Sequence, residues 1–130
     1  MPRVVKTKKA RRRHLVEALR SGEFQQGNGQ LERTASDATP KHCCLGVACR
    51  VAMRDGLDLE VDESRLNTRF DEQQYYAPSS IVEWYGFRSN HGGRVGCGAA
   101  TDLAHLNDSG LSFAEIADVI EAELAGLFVD

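Results

Sequence analysis

Long apolar runs are missing from this chain of 130 residues: no stretch approaches the roughly 20 consecutive apolar residues that a bilayer-spanning helix requires. The basic segment from Met1 to Arg13 is followed by no apolar h-region, so no secretory signal of the usual pattern is expected. No internal repeat or low-complexity segment appears, so a solenoid or a biased linker is not offered. Cysteine is sparse at four residues, Cys43, Cys44, Cys49 and Cys97. A chain of 14.3 kDa buries enough surface to hold a core without covalent staples, so the four are expected as reduced thiols in a soluble, cytoplasmic protein.

Charge is present but uneven. Residues 1–20 carry Arg3, Lys6, Lys8, Lys9, Arg11, Arg12, Arg13 and Arg20 against Glu17 alone, a local +7, while the other 110 residues hold 8 bases and 18 acids. Two divisions follow as expectations: a basic N-terminal arm over 1–13 and a single globular domain over 14–130. Lys8, Lys9, Arg11, Arg12 and Arg13 are the candidate nucleic-acid contacts, through phosphate attraction only, because no aromatic side chain interleaves with them for base stacking. The bland alternative is a solvated tail that keeps an N-terminal helix soluble.

Periodicity predicts a helix over 9–21, with His14, Leu15, Ala18 and Leu19 on one face, Arg12, Arg13, Glu17 and Arg20 on the other, and Gly22 as its stop. Gln25-Gln26-Gly27-Asn28-Gly29-Gln30 predicts a tight turn; with no preceding apolar strand and no Gly-Lys-Ser/Thr ending, it is not a phosphate loop of the Walker type. The segment His42 to Met53 is apolar on nearly all sides and predicts a buried central helix, within which Gly46 points to close approach by another backbone or by a ligand. Leu57 to Asp62 alternates apolar and acidic like a strand with one wet face, and Leu66 to Phe70 is its candidate partner. Ser80-Ile81-Val82-Glu83 and Ser112-Phe113-Ala114-Glu115 read as capping boxes, the first opening a short helix stopped by Gly86. The second opens a final helix whose apolar stripe is Phe113, Ile116, Ala117, Ile120, Leu124 and Leu127. Between them lie a glycine-rich loop over 91–98 and a short helix around Asp102 to Leu106. The expected fold class is α+β, a mainly helical single domain with a small antiparallel sheet.

Three chemistries bear on these residues. Zinc is disfavoured because the Cys and His pairs are adjacent or separated by four or five residues, at or beyond the long end of the Cys-x2-4-Cys knuckle spacing. A cysteine hydrolase is the enzymatic alternative: Cys43 or Cys44 at a helix N-terminus is the nucleophile and His91 or His105 the base, set against the simpler reading of buried thiols. Gly110 to Ala117 opens like a helix-turn-helix, but only Gly126 to Asp130 remains for a recognition helix, and the would-be supporting helix is acidic.

Cys44-Leu45-Gly46-Val47 resembles the opening of the cell-wall cysteine peptidases, departing from it at Cys43, where that family has Asp, and at Leu45, where it has Ser. A wider resemblance rests on Glu17 to Leu31, Cys43-Cys44-Leu45-Gly46-Val47, and Leu103 to Ala117 with its Leu106-Asn107-Asp108 phrase. Together these resemble a family of small proteins encoded by tailed bacteriophages and prophages. The resemblance implies presence in the bacterial host cytoplasm during infection and implies no reaction. The expected function is therefore an accessory binding protein that inhibits or sequesters a host enzyme, defence protein or small signalling nucleotide. Its candidate ligand residues are Gln26, Gly27, Gly29, Cys44, Asn107 and Asp108, small or polar groups at element ends, where contacts gather. Asn107, Asp108 and Gly110 equally suit a plain turn between two helices. No cofactor, metal or membrane partner is expected, and self-association is left open.

Overall fold

The structure, a computed structural model, describes residues 4–34, 39–63, 67–94, 101–122 and 127–129. The first helix, α1 (Lys8–Ser21), starts where Thr7 accepts the Ala10 amide at 3.1 Å and stops at Gly22, whose φ of 78° suits only glycine without strain. It buries Arg12, Leu15, Val16 and Leu19, an i, i+3, i+4, i+7 stripe. Arg12 therefore lies on the inner face and not, as charge alone suggests, on the wet one. Basic residues 8–13 form the first turns of this helix, and Val5 donates its amide to the Asp55 carbonyl at 2.8 Å. The boundary expected between an arm and a body at residue 13 thus falls inside a helix docked on the core.

Strands β1 (Gln25–Gln26), β2 (Glu32–Thr34) and β3 (Pro40–His42) precede α2 (Cys44–Arg54), the expected buried helix. A Cβ on Gly46 would lie 1.7 Å from the Leu31 carbonyl oxygen, so the close approach inferred from this glycine is made by backbone. Next come β4 (Val61–Asp62) and β5 (Asn67–Phe70), then α3 (Ser79–Tyr85). The five strands form one sheet in the order β1-β3-β2-β5-β4. The sheet is mixed and not purely antiparallel, because β1 runs parallel to β3. The alternating segment from Leu57 buries Leu59 and exposes Asp58 and Glu60, yet it joins the ladder only at Val61. The Glu60 amide is taken by the Asp71 carboxylate at 2.8 Å. Leu66 lies outside the described residues.

The α3 helix begins one residue before the expected box, with Pro78 as its cap; Ser80 sits inside it and donates to Asp71 Oδ2 at 3.1 Å. Proline's fixed φ presets the entry, which leaves Ser80 too far along to cap. After it, β6 (Gly93–Arg94) pairs with β7 (Thr101–Asp102), and residues 95–100 of the glycine-rich loop, Cys97 included, lie outside the described residues. Asp102 caps α4 (Leu103–Asp108) by accepting the His105 amide at 2.7 Å. The capping box at Ser112 is complete and opens α5 (Phe113–Glu121). That helix ends at Ala122, earlier than its apolar stripe implies. Leu127 is buried in a returning segment, where its carbonyl accepts the Arg88 amide at 2.9 Å and Phe128 stacks on Phe87. Leu124 lies outside the described residues.

The molecule is thus α+β. One face of the sheet, with Glu32, His42, Thr68 and Phe70, turns into a core formed with α1, α2, α3 and α5, and the Tyr85 hydroxyl donates to the Ala48 carbonyl at 3.0 Å within it. The other face carries Arg33 and Lys41 exposed and Asn67 and Arg69 half-buried. Among the described residues no helix is long and apolar enough to cross a membrane.

Candidate functional site

The six residues expected to hold a ligand do come together. Asn107, fully buried in α4, accepts at Oδ1 from Gln26 Nε2 (3.0 Å) and from the Cys44 amide (3.2 Å). Its Nδ2 donates to the Gly27 carbonyl (2.8 Å) and to Asn28 Oδ1 (3.3 Å). Two acceptances and two donations exhaust a carboxamide. Asp108 Oδ1 accepts the Gly29 amide at 2.9 Å, where the left-handed φ of 76° turns that N–H toward the carboxylate. Gln26 is used in the same way, donating also to the Leu111 carbonyl (2.7 Å) and accepting the Phe113 amide (3.1 Å) at the start of α5. The first amide of α2, Cys44, and that of α5, Phe113, which have no partner inside their own helices, are thereby satisfied by this cluster.

These contacts give the six residues two roles. Asn107, Asp108, Gly29, Cys44 and the Gln26 carboxamide brace the loop, Cys44 through its amide while its thiol faces the Leu103 carbonyl at 3.4 Å. Gln26 and Gly27 line an open groove of ≈370 Å³ together with Asn28, Gln30, Arg33 and Lys41. Arg33 and Lys41 are missing from the residues expected on sequence grounds. They are directly paired across β2 and β3, both exposed, and neither side chain has an ion pair or hydrogen bond among the described residues. Asn67, the neighbour of Arg33 on β5, leaves its Oδ1 unpartnered. Each cation stands alone in a short polar segment, and only strand register sets the two side by side.

On the buried face of the same strands lies an ion network that sequence also left unseen. Glu32 Oε1 accepts from His42 Nε2 (2.7 Å) and Arg50 Nε (2.8 Å), and its Oε2 accepts from Arg50 (2.8 Å) and Thr68 Oγ1 (2.6 Å). Burial opposes the charge on Glu32, but the hydrogen bonds from His42, Arg50 and Thr68 outweigh it and hold the carboxyl well below the usual range. His42 Nδ1 has no partner, and Phe24 stands edge-on to its ring. Glu32 and His42 are both sealed from solvent, so this network ties β3, β2, β5 and α2 together and offers no open site.

The two candidate nucleophiles of the hydrolase alternative, Cys43 and Cys44, are in the core with Cys49: the three are 4%, 1% and 0% exposed. Burial pushes Cys43 up to about 11 and the other two well above the ordinary thiol value, so it overrides the helix N-terminus that would favour a thiolate. His91 stacks on Tyr76 at 3.7 Å and meets Asn90, and His105 is exposed; neither bonds to a described thiol. Among the described residues no three His, Cys, Asp or Glu side chains gather as a metal site.

Of the candidate nucleic-acid contacts, Arg11 and Arg12 serve the fold. Arg11 donates to the Val5 (2.7 Å) and Trp84 (3.0 Å) carbonyls and lies over the Trp84 ring, while Arg12 donates to the Tyr85 carbonyl (2.7 Å) and lies over Phe128. Both cations meet the carbonyl end of α3, where the helix dipole favours positive charge. Lys8, Lys9 and Arg13 are exposed.

No curated protein and no solved structure matches the chain. A family model described as a domain of unknown function (DUF8296) matches residues 7–124, a span that takes in α1 through α5 and every residue of the groove. The chain belongs to this DUF8296 family.

Proposed function

We propose that this chain is a phage or prophage accessory protein that binds and sequesters, or inhibits, a host component, and that the groove beside Gln26–Gln30 is where it binds. One observation carries the reading: the groove's loop is fixed from behind by a fully satisfied Asn107 and by Asp108, so its shape exists before any ligand arrives. Preformed sites bind well because little ordering entropy is left to lose. Among the described residues the lining consists of amides, glycine and two cations, with no carboxylate, imidazole, thiol or hydroxyl side chain to act on a substrate. That composition supports holding and not turnover. The resemblance to phage-encoded proteins supports a host component as the target.

The test compares the wild type with Lys41→Trp, which fills the groove from an exposed position. Each is incubated with host lysate including its metabolite pool, and what stays bound is identified by mass spectrometry. A component retained by the wild type and lost by a folded Lys41→Trp supports the reading. Retention of nothing, or equal retention by both, overturns it.

A further inference from the structure

Like charges placed directly opposite on neighbouring strands destabilise a sheet, because their Cβ atoms stand only about 5 Å apart. Arg33 and Lys41 are such a pair, and nothing among the described residues compensates them: the groove they line contains no carboxylate, and the next residue in the row is the neutral Asn67. A Cβ on Gly27 would stand 3.0 Å from the Lys41 Cβ, so the glycine leaves the lysine stem uncrowded on the groove side. Behind them the amides of Asn28 and Gln30 complete a polar wall.

From this arrangement we infer that the groove takes a small phosphorylated molecule, of the size of a mononucleotide, with its phosphate held between Arg33 and Lys41. The inference rests on the groove being the binding site, as proposed above. Guanidinium supplies a planar fork and ammonium a mobile point charge, and the two together match a dianionic phosphate ester. At ≈370 Å³ the groove is at the lower end of small-molecule sites, roughly 300–1,000 Å³, which fits a single nucleotide better than a track for a polymer.

The experiment uses the full chain at low salt, with adenosine monophosphate, adenosine, inorganic phosphate and a thymidine oligonucleotide as probes, read by calorimetry and thermal shift. The monophosphate is expected to bind and raise Tm, adenosine not to bind, and free phosphate to bind more weakly than the ester. Arg33→Gln and Lys41→Gln are each expected to lower affinity about ten-fold or more. Each also raises the Tm of the unliganded protein at low salt, since the repulsion is relieved; a role confined to the fold would not produce that opposite pair of effects. The inference is overturned if no phosphate compound binds, if both glutamine variants bind undiminished, or if the oligonucleotide outcompetes the mononucleotide. Should the host component be lost by Lys41→Trp yet kept by both glutamine variants, the groove stands as a binding site and its phosphate assignment falls. If Lys41→Trp keeps it too, both fall.

Discussion

Asn107 shows how much a single buried amide can organise. Its four hydrogen bonds join α4 to the 26–29 loop and to the first amide of α2. Asn107→Ala leaves buried groups on both sides unpaired, and is expected to cost about 2–4 kcal/mol, read from the urea midpoint. The sequence marked Asn107, Asp108, Gln26 and Gly27 because small polar residues at element ends are distinctive, but it could not say which brace and which face outward. Glu32 was not marked at all, since one acid in a polar stretch carries no signal until Thr68, 36 residues away, and Arg50 are folded onto it. Its folded pKa lies below the unfolded value of about 4.3, so its contribution is fully present above that pH and is lost as pH falls below it. Thermal melts on acidification should show this loss, and Glu32→Gln, already less stable at pH 7, should have a flatter profile in the same acid window.

At the scale of elements, the N-terminal helix is the clearest case of one feature read for its charge and used for its geometry. Arg12 and Arg13 are neighbours in sequence, but a helix turns 100° per residue, which buries one and exposes the other. Arg12→Met removes the donor to the Tyr85 carbonyl at the end of α3 and is expected to destabilise by about 1–3 kcal/mol, whereas Arg13→Met should change stability by less than about 0.5 kcal/mol. Paired urea titrations distinguish them. The two Ser-x-x-Glu phrases teach a similar lesson. The one at Ser112 follows a chain free to take the cap conformation, and it forms both halves of the box. The one at Ser80 follows Pro78, which starts the helix first. Likewise the α5 stripe reads past Ala122 to Leu127, because a buried leucine repeats the helical spacing whether it is on the helix or returns to the same core by another route.

Across the whole molecule, burial decides the chemistry. Cys43 caps α2 and Cys44 and Cys49 lie within it, all three buried, so in a Cys97→Ser background all three should resist a disulfide reagent at neutral pH and react only at the rate of unfolding. Fast modification of any one in the native protein would return the hydrolase alternative to the front. From its sequence alone this protein was determined to be α+β, with α1, α2 and α5 in place, turns at Gly22 and Gly86, and a sulfur-bearing helix in the interior. Those features depend on periodicity, caps and backbone sterics within a few residues. Tertiary structure alone decided that Arg12 faces inward, that Glu32 meets His42 and Arg50, and that Arg33 stands against Lys41 above a braced loop. Each of these depends on strand register or helix docking, in which a shift of one residue would send a strand's side chains to the opposite face and turn a helix's by 100°.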